Sequence, residues 1–120
     1  MQLKGAIQAS LLANYCWLVA ACAGSTSSAV DAYDQGRYPE ALDALGQVER
    51  SRGGEVADDA RYTLYRGLAE LAVGNAPAAY LWLSATKAAL AHDPEALDPH
   101  DQARLGAAWR TLGKMPAQMR

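Results

Sequence analysis

Three times in this chain a glycine is followed three residues later by a proline: Gly36–Pro39, Gly74–Pro77 and Gly113–Pro116. The intervals between successive glycines are 38 and 39 residues, room for a helix, a tight turn and a second helix. A fixed period of this length is the signature of a stacked helical repeat, because one supersecondary unit cannot bury its apolar face alone. Composition agrees. Alanine is abundant, phenylalanine is absent, and 51% of the 120 residues are hydrophobic. Alanine loses no side-chain entropy in a helix and lets helices approach closely, so an all-α fold is expected. A formal net charge of −2 offers no cationic face for nucleic acid.

The helices can be placed from their punctuation. Ser27 or Ser28 caps a short first helix, Ala29 to Gln35, which Gly36 ends. Pro39 and Glu40 open the next, whose apolar stripe is Ala41, Leu42, Leu45 and Val48, and Ser51-Arg52-Gly53-Gly54 closes it. A third helix runs from about Glu55 to Val73, with Asp58 and Asp59 near its positive end. A fourth starts at Pro77 and is apolar nearly all round to about Ala91, which predicts neighbours on more than one side and a place at the centre of the array. Asp98 caps the last full helix, Pro99 is its first residue, and Gly113 ends it before a sixth segment opens at Pro116.

The spacing of small residues resembles that of the tetratricopeptide repeat family. A small residue is followed seven positions later by glycine, then by an apolar residue two further on and by alanine five after the turn. Ala29, Gly36, Tyr38 and Ala41 fit this, as do Gly67, Gly74, Ala76 and Ala79; Gly106, Gly113 and Met115 begin a third unit in which Gln118 replaces the small residue. The period exceeds the family's usual 34 residues. The resemblance implies a short right-handed α-solenoid of antiparallel helix pairs, about two and a half repeats, over residues 29–120. Close packing of each helix pair would explain Gly67 and Gly106, where added bulk forces helices apart.

The first 30 residues read differently. No Asp, Glu, Lys or Arg lies between Lys4 and Asp31, and an apolar stretch from Leu11 to Ala21 leads to Cys22. This is the layout of a secretory signal. Val19-Ala20-Ala21-Cys22 resembles the lipobox of bacterial lipoproteins, which implies a signal peptide over residues 1–21, acylation (palmitate included) at Cys22, and a flexible tether over residues 22–28. Ala23 in place of aspartate implies, by the same resemblance, delivery to the outer membrane facing the periplasm. Two alternatives stay open: an uncleaved membrane helix from Gly5 to Ala23, weakened by Gln8, Ser10 and Asn14, and a buried helix of a soluble protein. Cys16 lacks small residues before it and is the poorer acylation site; loss of the leader would leave one cysteine and no disulfide.

Function follows from the same resemblance. Proteins of this family hold peptides in a groove lined by the first helix of each repeat, and the matching positions here are Tyr33, Asp34, Arg61, Leu64, Tyr65, Leu68, His100, Arg104, Ala107 and Arg110. Tyr33, Arg61, Leu64, Tyr65, Leu68, Arg104 and Arg110 form the candidate partner-binding groove, its arginines suited to an acidic peptide or terminal carboxylate. The expected role is a membrane-anchored protein–protein adaptor or scaffold of the bacterial envelope, serving assembly of a pilus, secretion or outer-membrane complex; the alternative is a structural subunit held by a membrane helix. Self-association through an uncovered face of the C-terminal helix, Leu105 to Leu112, is a further expectation.

Chemistry is weakly signalled. His92, Asp93, Asp98, His100 and Asp101 cluster in sequence, but helix capping beside prolines accounts for Asp93 and Asp98, Asp101 reads as a dipole partner in the first turn of the last helix, and the histidines lack the spacing of a helical zinc pair. Ser84 has no glycine-framed nucleophile turn, and no phosphate loop or dinucleotide fingerprint occurs. No enzyme activity, metal or cofactor is expected.

Overall fold

The structure is a computed structural model, and it describes residues 25–117. Among the described residues every regular element is helical: α1 (Thr26–Asp34), α2 (Tyr38–Arg52), a 3₁₀ turn (Gly53–Asp58), α3 (Ala60–Ala72), α4 (Ala76–His92) and α5 (Pro99–Gly113). The all-α expectation holds. The leader and Cys22 lie outside the described residues, and none of the described helices is long and apolar enough to cross a membrane.

Local chemistry accounts for the boundaries. α1 begins three residues before the expected Ala29, because Ser25, not Ser27 or Ser28, is the cap: its Oγ accepts from the Ser28 N–H at 3.0 Å. Gly36 and Gly74 make the same bend. Each has a left-handed backbone, with φ of 76° and 88°. In each, the next residue donates back across the helix end, Arg37 to the Ala32 carbonyl and Asn75 to the Glu70 carbonyl, both at 2.8 Å. Glycine fits here because a Cβ makes this conformation costly.

Gly113 departs from the pattern. It is the last residue of α5, Lys114 forms the cap with φ of −85°, and residues 114–117 hold no sixth α-helix. The single helix expected from Glu55 is also divided. Asp59, in extended conformation, caps α3 by accepting from the Tyr62 N–H at 3.1 Å and is held by Arg52 at 2.8 Å, so the residues before it form the 3₁₀ turn instead.

The centre of the packing is α3, not α4. Eight of the 13 residues of α3 are buried, against four of 17 in α4, and α3 touches every other described helix. Tyr62 reaches from α3 to α2, donating to the Leu45 carbonyl at 3.0 Å, while its ring meets the edge of Trp82 on α4 at 5.7 Å. Thr63 and Thr86 join α3 to α4 through their hydroxyls at 2.8 Å. The tightest approach is at Gly67, where a Cβ would fall 2.6 Å from the Leu83 side chain and 3.3 Å from its backbone nitrogen. Gly106 is different: a Cβ there would meet only the Arg110 guanidinium, at 3.5 Å.

Candidate functional site

α1, α3 and α5 meet along one side of the fold, and what joins them is polar. Tyr33 and Asp34 stand at the end of α1. On α3, Arg61, Tyr65 and Leu68 recur at helical spacing and share a face. Asp101 and Arg104 stand one turn apart on α5. The Tyr65 hydroxyl donates to Asp101 Oδ1 at 2.6 Å. Arg104 donates to the Tyr65 oxygen at 3.2 Å and pairs with Asp34 at 2.7 Å, so one guanidinium links all three helices. It also lies over the rings of Tyr33 and Tyr65, 5.3 and 5.7 Å from their centroids, while those two rings meet edge to face at 5.7 Å. Arg61 approaches Asp101 Oδ2 at 4.0 Å, and His100 approaches Oδ1 at 3.5 Å.

Burial governs the titration of this cluster. It pushes the Tyr65 phenol well above its ordinary value, and the hydrogen bond to the Asp101 carboxylate adds to the shift. Tyr33 is raised as well, chiefly by burial, with the Arg104 charge opposing. Both phenols therefore stay protonated at neutral pH, and Tyr65 remains a donor to the nearly enclosed Asp101, which is only 5% exposed.

Beside the cluster a cleft of about 270 Å³ opens between Tyr33 on α1, Leu68, Leu71 and Ala72 on α3, and Arg104, Ala107, Ala108 and Thr111 on α5. Three of the seven groove residues expected from sequence, Tyr33, Leu68 and Arg104, line it. Tyr65 is buried behind them in the hydrogen-bonded cluster, and Leu64 is fully buried in the core. Arg61 and Arg110 are exposed outside the cleft lining, and Arg110 makes no ion pair among the described residues. No family model, curated protein or solved structure matches this chain.

Leu71, Ala72, Ala108 and Thr111 of the cleft lining, and Asp101 of the cluster, were missed in the sequence. Leu71 and Ala72 continue the α3 face one turn beyond Leu68, and extending the i, i+3, i+4 pattern would have found them. Asp101 was read as a helix-dipole partner, and its bond to a tyrosine 36 residues away leaves no local signal. Of the histidine–aspartate cluster, Asp98, His100 and Asp101 converge, with ligand-type atoms within 4.8 Å of one another. Their oxygens already have partners: Asp98 caps α5 by accepting from the Asp101 N–H at 2.8 Å, and Asp101 accepts from Tyr65. Asp93 likewise accepts from the Glu95 N–H at 3.1 Å in a local turn.

Proposed function

We propose that this chain is a protein–protein adaptor, a short tetratricopeptide-like solenoid of antiparallel helix pairs that takes an extended partner segment along α1, α3 and α5. The observation that carries the reading is the shared side of those three helices. They are the first helices of the three units, they are joined by Arg104, and an apolar cleft runs beside the join. The matching bends at Gly36 and Gly74 support a repeat.

The chemistry refines the partner. Arg104 is spent on Asp34 and Tyr65, so it serves the fold before any ligand. Recognition falls to apolar side chains entering at Leu68, Leu71 and Ala108, with Arg61 on the same α3 face for an acidic group, whereas the Arg110 guanidinium lies beside Gly106 on the α4 side of α5. A photo-crosslinking residue at Ala107, introduced in cells, should give a discrete protein adduct. Ala72→Glu, an exposed change inside the cleft, should abolish the adduct by repelling an acidic segment. Equal adducts from the same probe at Asp43, in the separate cleft between α1 and α2, would refute the groove.

The lipobox-like Val19-Ala20-Ala21-Cys22 supports tethering of this adaptor to the bacterial envelope, with the outer membrane as the destination. On that reading Cys22→Ala leaves the fold intact and releases the protein from membranes. Retention of the variant on membranes would sink the lipid anchor and favour an uncleaved membrane helix.

A further inference from the structure

Helix α4 turns an apolar stripe to solvent, flanked by the exposed Lys87 and His92. α2 exposes Glu40, Asp43 and Arg50, as a solvated helix should. α4 exposes Pro77, Tyr80, Leu81, Ala88 and Ala91, with Ser84 half-buried among them. Leu81 is 70% exposed and Tyr80 41%. One exposed leucine is unremarkable. Here, however, Pro77, Leu81, Ser84, Ala88 and Ala91 recur at steps of four, three, four and three, the interval of a seam that packs against another helix. The charge on its flank, Lys87, is drawn aside: its Nζ sits 4.2 Å from the Trp109 ring centroid, and Trp109 stacks on Tyr80 at 5.5 Å. A cleft of about 310 Å³ between α4 and α5, lined by Leu90, Leu105, Gly106 and Trp109 among others, extends the apolar surface.

We infer that this seam is a homodimer interface, in which two copies of α4 pack antiparallel with each Leu81 seated on the partner's Ala91. The order of sizes along the seam selects the occupant. Its large residue, Leu81, lies toward the start of the helix, and small ones, Ser84, Ala88 and Ala91, follow. Reversing a second copy sets large against small at both ends and Ser84 against the partner's Ala88 in the middle, so the backbones approach closely. A parallel copy would set leucine beside leucine and leave a gap at the alanines.

Head-to-tail stacking is disfavoured, because the cleft between α1 and α2 at the other end of the fold is lined by Arg37, Glu40, Asp43 and Gln47. An isologous contact remains. It is separate from the α5 face marked for self-association in the sequence, and it does not depend on the peptide groove. With 17 residues α4 is about 25 Å long, a modest contact, so dissociation in the micromolar range is expected.

Light scattering on the full chain over about 1–500 μM should show the mass rising from one chain to two. Leu81→Glu, at an exposed position, should keep the helical circular dichroism and remain at one-chain mass. Leu81→Glu with Ala91→Lys should restore two-chain mass, because each glutamate then faces a partner lysine. A wild-type chain that stays at one-chain mass throughout, or a Leu81→Glu variant that dimerises as well as wild type, overturns the interface. Failure of the double variant to recover overturns the antiparallel pairing.

Discussion

Gly67 and Gly106 occupy equivalent places in the sequence repeat, and alanine at the two should act with opposite sign. In a helix interior alanine is better than glycine by about 1 kcal/mol, and both positions gain that. At Gly67 the new methyl would lie 2.6 Å from Cγ and Cδ2 of Leu83, a residue with no exposed surface, and 3.3 Å from its backbone nitrogen. Leu83 has nowhere to turn, so α3 and α4 must separate, and overpacking of this kind costs about 1–3 kcal/mol.

The net expectation for Gly67→Ala is a loss of up to about 2 kcal/mol. At Gly106 the nearest atom is the tip of the Arg110 guanidinium at 3.5 Å, an ordinary contact, so Gly106→Ala should gain about 0.5–1 kcal/mol. Urea unfolding followed by circular dichroism measures both, and for a domain of this size each kcal/mol moves the melting temperature by roughly 4–8 °C. Shortening the obstacle supplies the control: the Gly67→Ala/Leu83→Ala pair should be less damaging than the sum of its members. If Gly67→Ala stabilises the protein as Gly106→Ala does, the close approach of α3 and α4 is wrong.

Tyr65→Phe removes the shortest hydrogen bond of the buried Asp101 and should cost about 2 kcal/mol, measured by the same unfolding experiment. It should also blunt alkaline unfolding. A phenol whose pKa is raised in the fold binds more protons folded than unfolded above about pH 10, so its stabilising contribution is complete below that pH and is lost as pH climbs toward the folded value. The wild type should therefore lose stability above pH 10 more steeply than Tyr65→Phe, and equal slopes would remove Tyr65 as the cause. For Thr63 and Thr86, valine at either position removes the bond between the hydroxyls, leaves the other hydroxyl only its own helix carbonyl (Ala60 or Trp82), and should cost about 1 kcal/mol. Valine at both should cost at least about 0.5 kcal/mol less than the sum, as a double-mutant cycle will show.

Local chemistry was readable from the sequence to the extent that a local cause acts. Gly36 and Gly74 bend where the pattern places them, because a left-handed helix end excludes most other residues. Asp98 caps α5 and Pro99 starts it for equally local reasons. Gly67 was legible as a contact because smallness has few other uses within a helix. Gly106 looks the same, yet no described helix lies against it, and sequence does not distinguish a filled approach from an open one. α4 misled for a related reason. Apolar residues all round imply cover all round, but a chain records only that a surface avoids water. The neighbour it was expected to find inside the fold is, on the inference above, a second copy.

The candidate site illustrates how charge changes meaning on folding. Read along the chain, Arg61, Arg104 and Arg110 are three equivalent cations facing one groove. In the fold they differ. Arg104 is held by Asp34 and the Tyr65 hydroxyl and lies over two tyrosine rings, so withdrawing it for a ligand would leave the partly buried join between α1, α3 and α5 without its cation. Arg61 is drawn toward Asp101, and Arg110 is the least committed of the three. Pairs at the surface contribute little on their own, whereas truncating one member of a buried, hydrogen-bonded set leaves the others unpaired. Arg104 therefore belongs to the scaffold. On the proposed reading, discrimination among partners rests on the shape of the apolar cleft beside it.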